Sequence, residues 1–93
     1  MATKVLVPNT GEKESTGTIG MWYKDEGDAV KVGEALCTVE TEKASVDIEA
    51  PCSGFLRRIV APRDAQISIG DCLAIIADQD EDISGLVEEL GLN

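Results

Sequence analysis

The sequence predicts an all-β domain of two antiparallel sheets packed face to face and related by pseudo-two-fold symmetry. The first observation behind this is an internal repeat at an offset of 37 residues. Gly17-Thr18-Ile19 matches Gly54-Phe55-Leu56, Val30 and Val32 match Ile67 and Ile69, and Gly33-Glu34 matches Gly70-Asp71; Leu36 and Val39 match Leu73 and Ile76. The second is that each half reads as short runs of alternating apolar and polar residues, with no helical period before residue 78. The third is the punctuation: turn signals such as Glu26-Gly27-Asp28 and Val32-Gly33-Glu34 separate the runs. Two halves with one strand pattern suggest that each contributes to both sheets.

Along the chain, Pro8-Asn9-Thr10-Gly11-Glu12-Lys13-Glu14-Ser15 reads as a surface loop ahead of the first copy of the repeat. Trp22, beside Ile19 and Met21, reads as core packing, and the paired glycines at 17, 33, 54 and 70 read as backbone requirements at turns or bends. Between the two copies lies the most informative stretch. Val39 and Thr41 alternate with Glu40 and Glu42, and Val46, Ile48 and Ala50 alternate with Asp47 and Glu49. That is the period of strands with one buried face, so the two runs predict a β-hairpin meeting at Glu42-Lys43 with Lys43 at its tip. The symmetry places this tip far from the termini, where a group can be presented to other proteins. Arg57-Arg58 is too short for a nucleic-acid patch and reads as a solvated strand face.

Composition narrows the function. The 93 residues suit one domain, and with only Trp22, Tyr23 and Phe55 aromatic the core must be aliphatic. A net charge of −10 argues against nucleic acid and anionic membrane, leaving a basic or neutral protein surface as the fitting partner. No apolar run has the length of a membrane span, and the first residues lack a secretory h-region, so the expected location is the cytoplasm or, in a eukaryote, the mitochondrial matrix. Cys37, Cys52 and Cys72 are odd in number and lack CxxC spacing, which predicts free thiols rather than a disulfide framework or zinc site. The absence of histidine removes the commonest general base and every Ser-His or Cys-His pair, so chemistry must be carried on something attached.

The residues resemble a known family over about 2 to 78: the lipoyl domains of dihydrolipoyl acyltransferases from 2-oxo acid dehydrogenase complexes. The matching elements are Gly17-Thr18-Ile19 with Trp22, Glu26-Gly27-Asp28-Ala29-Val30, Gly33-Glu34-Ala35-Leu36, Val39-Glu40-Thr41-Glu42-Lys43-Ala44, Ala50-Pro51-Cys52-Ser53-Gly54 and Ile69-Gly70-Asp71-Cys72-Leu73-Ala74-Ile75-Ile76. The resemblance implies a flattened β-barrel or sandwich of two four-stranded sheets, non-catalytic by itself, with lipoic acid amide-linked to Lys43 in the turn Glu42-Lys43-Ala44. It also implies the partners: a lipoate ligase or lipoyl transferase that attaches the group, a thiamine diphosphate-dependent dehydrogenase that loads it with an acyl group, an acyltransferase catalytic domain that passes the acyl group to coenzyme A, and a dihydrolipoyl dehydrogenase that reoxidises it. In such relatives a loop corresponding to Asn9, Thr10, Gly11 and Glu12 lies beside the hairpin and assists recognition; the acids Glu40 and Glu42 flanking Lys43 are further candidates for partner recognition.

Two departures stand out. The family usually has Asp before the modified lysine, where this chain has Glu42, and the second half has Arg63-Asp64-Ala65 where relatives show a Gly-Asp pair, so a less regular turn is expected there. Biotinyl carriers share the fold but set their lysine between two methionines, and Met1 and Met21 are remote from Lys43. An unmodified β-sandwich interaction module is the alternative of a different class. After Ile76 the composition shifts: Asp78, Asp80, Glu81, Asp82, Glu88 and Glu89 carry −6 of the −10, with no Lys or Arg after Arg63. Ile83, Leu86, Val87 and Leu90 are spaced for a short amphipathic helix weakened by Gly85, so residues 79–93 read as an acidic tail or linker following a carrier domain at 1–78. With Gly54 to Ala61, this tail is similar to the acyltransferase component of acetoin-cleaving systems.

Overall fold

The structure is a computed structural model that describes residues 2–7, 16–41, 45–68 and 70–91. Among the described residues there are eight strands, β1 (Thr3–Leu6), β2 (Thr16–Trp22), β3 (Ala29–Val30), β4 (Ala35–Glu40), β5 (Ser45–Glu49), β6 (Gly54–Ile59), β7 (Gln66–Ser68) and β8 (Cys72–Ala77), then helix α1 (Ser84–Glu89). All pairings are antiparallel. One four-stranded sheet has the order β1-β8-β6-β3 and the other β5-β4-β2-β7. Exchanging the halves turns one order into the other, so each half contributes to both sheets as the repeat predicts.

The duplication is visible bond by bond. Gly27 N donates to Leu56 O at 2.7 Å, and its equivalent Asp64 N donates to Ile19 O at 2.8 Å. Leu56 N donates to Asp28 O and Ile19 N to Ala65 O, both at 2.9 Å. These bonds run from each half into the other, so the turn of one copy is completed by a strand of its mate. Acidic side chains close the turns locally: Lys31 N donates to Glu34 Oε1 at 3.1 Å and, one repeat later, Ser68 N to Asp71 Oδ2 at 2.8 Å. The turn at Arg63-Asp64-Ala65 therefore keeps the backbone bonding of its mate but not the bond from Asp25 N to Asp28 Oδ2 at 2.8 Å, since Pro62 and Ala65 stand at those positions, and Asp64 sits at φ 71° where Gly27 sits at 98°.

Alternation delivers the core. Val5, Ile19, Val30, Leu36, Val39, Ile48, Leu56, Ile67, Leu73 and Ile76 are buried together between the sheets. Trp22 is half-buried against them, as expected, and its indole N–H donates to Ala61 O at 2.8 Å across the two halves. Tyr23 is exposed, and Phe55 is half-buried outside this cluster. Cys37 is buried and Cys52 and Cys72 half-buried, all three as free thiols. Among the described residues no helix is long and apolar enough to cross a membrane.

Candidate functional site

The site is built on an edge pairing of the second sheet, edge strand β5 with β4. β4 and β5 run antiparallel with Thr38 opposite Asp47, Val39 opposite Val46 and Glu40 opposite Ser45. Val39 and Ile48 anchor the pair in the core, with Val46 half-buried, which confirms the predicted inward set. Among the described residues β4 ends at Glu40 and β5 begins at Ser45, so residues 41–44 join them in sequence. Glu42, Lys43 and Ala44 lie outside the described residues, as do Asn9, Thr10, Gly11 and Glu12.

What the described residues give is the seat of that connection. Glu40 is exposed, Thr41 half-buried, and Glu40 pairs across the sheet with Thr18 of β2. The close approach of β2 to β4 depends on glycine: a Cβ on Gly17 would lie 2.7 Å from Val39 Cγ1 and 3.1 Å from Glu40 O. A Cβ on Gly20 would lie 2.6 Å from Thr38 Oγ1, the hydroxyl that accepts from Met21 N at 3.0 Å, and 3.2 Å from the Glu40 carboxylate. Sequence reasoning took Gly17 for a turn or bend residue, whereas it clears room for the strand that leads into the connection. An open cleft of about 600 Å³ lies alongside, lined by Thr16, Thr18, Glu40, Thr41, Gln66 and Ser68 among others. The cleft is polar, and the described strands of this sheet contain no Lys or Arg, while Glu40, Asp47 and Glu49 are exposed.

Other lysines are differently placed. Lys24 Nζ pairs with Glu34 Oε2 at 3.2 Å, and Lys4 Nζ pairs with Glu89 Oε1 at 3.6 Å. The backbone N–H of Lys31, and then Lys24, hold the Glu34 carboxyl below the usual carboxylate range. Among the described residues no group of three or more His, Cys, Asp or Glu is placed to hold a metal ion. What remains for chemistry among the described residues is an anchored hairpin end beside an open, polar cleft, and the sequence that joins its strands contains one lysine.

Comparison with known proteins agrees with this geometry. Residues 3–76 match the biotin/lipoyl family model, described as "Biotin-requiring enzyme". The succinyltransferase component of the 2-oxoglutarate dehydrogenase complex from Rickettsia bellii is 41% identical over 71 residues, covering 76% of this chain and 18% of that protein. The acetyltransferase component of the pyruvate dehydrogenase complex from Corynebacterium glutamicum is 41% identical over 81 residues, covering 87% of this chain and 12% of that protein. The chain thus spans less than a fifth of the length of either relative. Among solved structures, the lipoyl domain of the Azotobacter vinelandii 2-oxoglutarate dehydrogenase complex superposes with a TM-score of 0.66 at 27% identity, covering 81% of this chain and 95% of that one. Kluyveromyces lactis urea carboxylase superposes with a TM-score of 0.70 at 23% identity over 83% of this chain and 6% of that one, a likeness of fold alone. The chain belongs to the biotin/lipoyl attachment family, and its fold is that of a lipoyl domain.

Proposed function

We propose that the chain is a covalent lipoyl carrier in which Lys43 Nζ forms an amide with the carboxyl of lipoic acid. The observation that supports this reading is the β4–β5 register, with Glu40 opposite Ser45 and Lys43 in the sequence 41–44 that joins the two strands. When bound, lipoic acid supplies a dithiolane that ferries an acyl group from a thiamine diphosphate-dependent 2-oxo acid or acetoin dehydrogenase to coenzyme A in an acyltransferase, and is reoxidised by dihydrolipoyl dehydrogenase. The chain's own residues do three things. Strands β4 and β5 fix the two ends of the attachment turn that a ligase or lipoyl transferase must grip. Amidation removes the positive charge of Lys43, so Glu40, Glu42, Asp47 and Glu49 dominate the end of the hairpin and favour a basic partner surface. Holding the arm on a folded domain raises its local concentration at each partner active site.

The flanks Glu42 and Ala44 support lipoyl over biotinyl attachment, because a methionine stands on neither side of Lys43. Partner choice is assigned to the loop with Asn9, Thr10, Gly11 and Glu12, together with Glu40 and Glu42. Intact mass after co-expression with a lipoate ligase tests the reading: the wild type gains one lipoyl group and Lys43→Arg gains none. A lipoyl mass persisting in Lys43→Arg overturns the assignment, and a folded wild type that gains no mass favours the unmodified interaction module.

A further inference from the structure

Two sheets related by symmetry ought to present equivalent outer faces, and these do not. Cross-strand partners share a face of a sheet. On the first sheet Ile75 stands opposite Lys4 and Arg58, and Ala77 opposite Phe55, on the side away from the core residues Val5, Leu56, Ala74 and Ile76. One repeat earlier the same positions are Thr38, Glu40 and Thr18, half-buried or exposed. Yet Ile75 is 0% and Ala77 2% exposed, and neither belongs to the core cluster between the sheets. Something covers an outward apolar strip on this sheet alone.

The C-terminal segment matches that strip in both chemistry and position. Its apolar residues Ile83, Leu86, Val87 and Leu90 are all half-buried, while Gly85, Glu88 and Glu89 are exposed. Two cations at the rim of the strip hold the segment, Arg57 through backbone carbonyls and Lys4 through a carboxylate. Arg57 Nη1 donates to Asp78 O at 2.6 Å and to Glu81 O at 2.7 Å, and Lys4 reaches Glu89. Leu90 shares a surface cleft with Val60, Ala61, Ile67 and Cys72. Arg57, taken from sequence for a solvated residue, is thus a clamp, and the segment reverses along the body instead of leaving it.

We propose that residues 78–91 are an integral strap of the domain, closing the outer face of the β1-β8-β6-β3 sheet over Phe55, Ile75 and Ala77 with Arg57 as its clamp. The folded unit then extends through α1, and the sheet that carries the attachment hairpin keeps the open face. A helix of this length is marginal in water by itself, so its amide protection is diagnostic of docking. Hydrogen exchange on the full, unlipoylated chain should show the amides of Val87, bonded to Ile83 O, and Leu90, bonded to Leu86 O, protected about tenfold or more over an unstructured chain. Arg57→Ala and, separately, Leu86→Asp should each bring both amides close to the unstructured rate while Leu56 N, bonded to Asp28 O, stays protected. Unprotected Val87 and Leu90 in the wild type overturn the proposal, as does protection that survives both substitutions. Because no lipoyl group is involved, either result leaves the carrier reading where the mass measurement puts it.

Discussion

Asp64 stands one repeat after Gly27 and adopts the same left-handed backbone, φ 71° against 98°, while its N–H makes the equivalent bond to the opposite half. The duplicated turn demands this conformation, and only one copy has the residue that takes it without a steric cost. Asp64→Gly relieves about 1 kcal/mol of strain or more, offset in part by the greater freedom of glycine in the unfolded chain. The expected net gain is about 0.5–1 kcal/mol, read as a Tm several degrees higher. Gly27→Ala should move Tm the other way, and equal Tm values for wild type and Asp64→Gly would show that Asp64 is unstrained.

Gly17 tests the seat of the carrier hairpin. Its missing Cβ leaves room for Val39 Cγ1 and Glu40 O, one of them backbone, so Gly17→Ala must push β2 from β4. A loss of about 1–3 kcal/mol in denaturant unfolding is expected, as for overpacking in a core. Gly33→Ala separates the effects, since a Cβ there meets nothing within 4 Å and its φ of 85° is the sole objection.

Cys37 lends the fold a pH dependence. Burial, and secondarily the nearby Asp47 carboxylate, pushes its thiol up to about 12 from an ordinary 9.0. Above pH 9 the unfolded chain releases this proton and the folded chain does not, so the contribution is complete below that pH and is lost progressively towards 12. Stability measured across that window should fall less in Cys37→Ala, after allowing for its smaller side chain. At about pH 8 a maleimide should spare Cys37 in the native protein and label it in denaturant.

Partner choice gives the fourth prediction. Replacing residues 9–15 with the loop of a lipoyl domain from a different complex should leave folding and lipoylation intact and slow reductive acylation by the cognate dehydrogenase. Unchanged acylation of a fully lipoylated chimera would move recognition to Glu40, Asp47 and Glu49.

Much of this was legible in one dimension because duplication writes structure twice. The match of Leu36 with Leu73 and Val39 with Ile76 reported a shared strand, and the alternation around Lys43 reported the hairpin with its inward set Val39, Ile48 and Ala50. The strand end at Glu40 was not legible, since alternation through Glu42 satisfies the strand period whether or not a partner strand continues. The hydrogen bond from Trp22 to Ala61 O joins residues too far apart in sequence for any local pattern to report. The strap escaped for a different reason: Ile83, Leu86 and Val87 are apolar without saying against what. A signal did exist in the mismatches of the repeat, where Thr18, Thr38 and Glu40 give way to Phe55, Ile75 and Ala77. In a duplicated fold, positions where one copy is apolar and its mate polar mark a face that has acquired a cover.

The interleaving of the halves also decides where motion can reside. β2 is flanked by β4 of its own half and β7 of the other, and β8 by β1 and β6 in the same crossed manner. Among the described residues no plane passes between the halves without severing a ladder of backbone hydrogen bonds, so the two sheets have no seam at which to bend. They behave as a stiff mast. Any cargo carried between β4 and β5 then gains no reach from bending of the two sheets, which contribute aim alone.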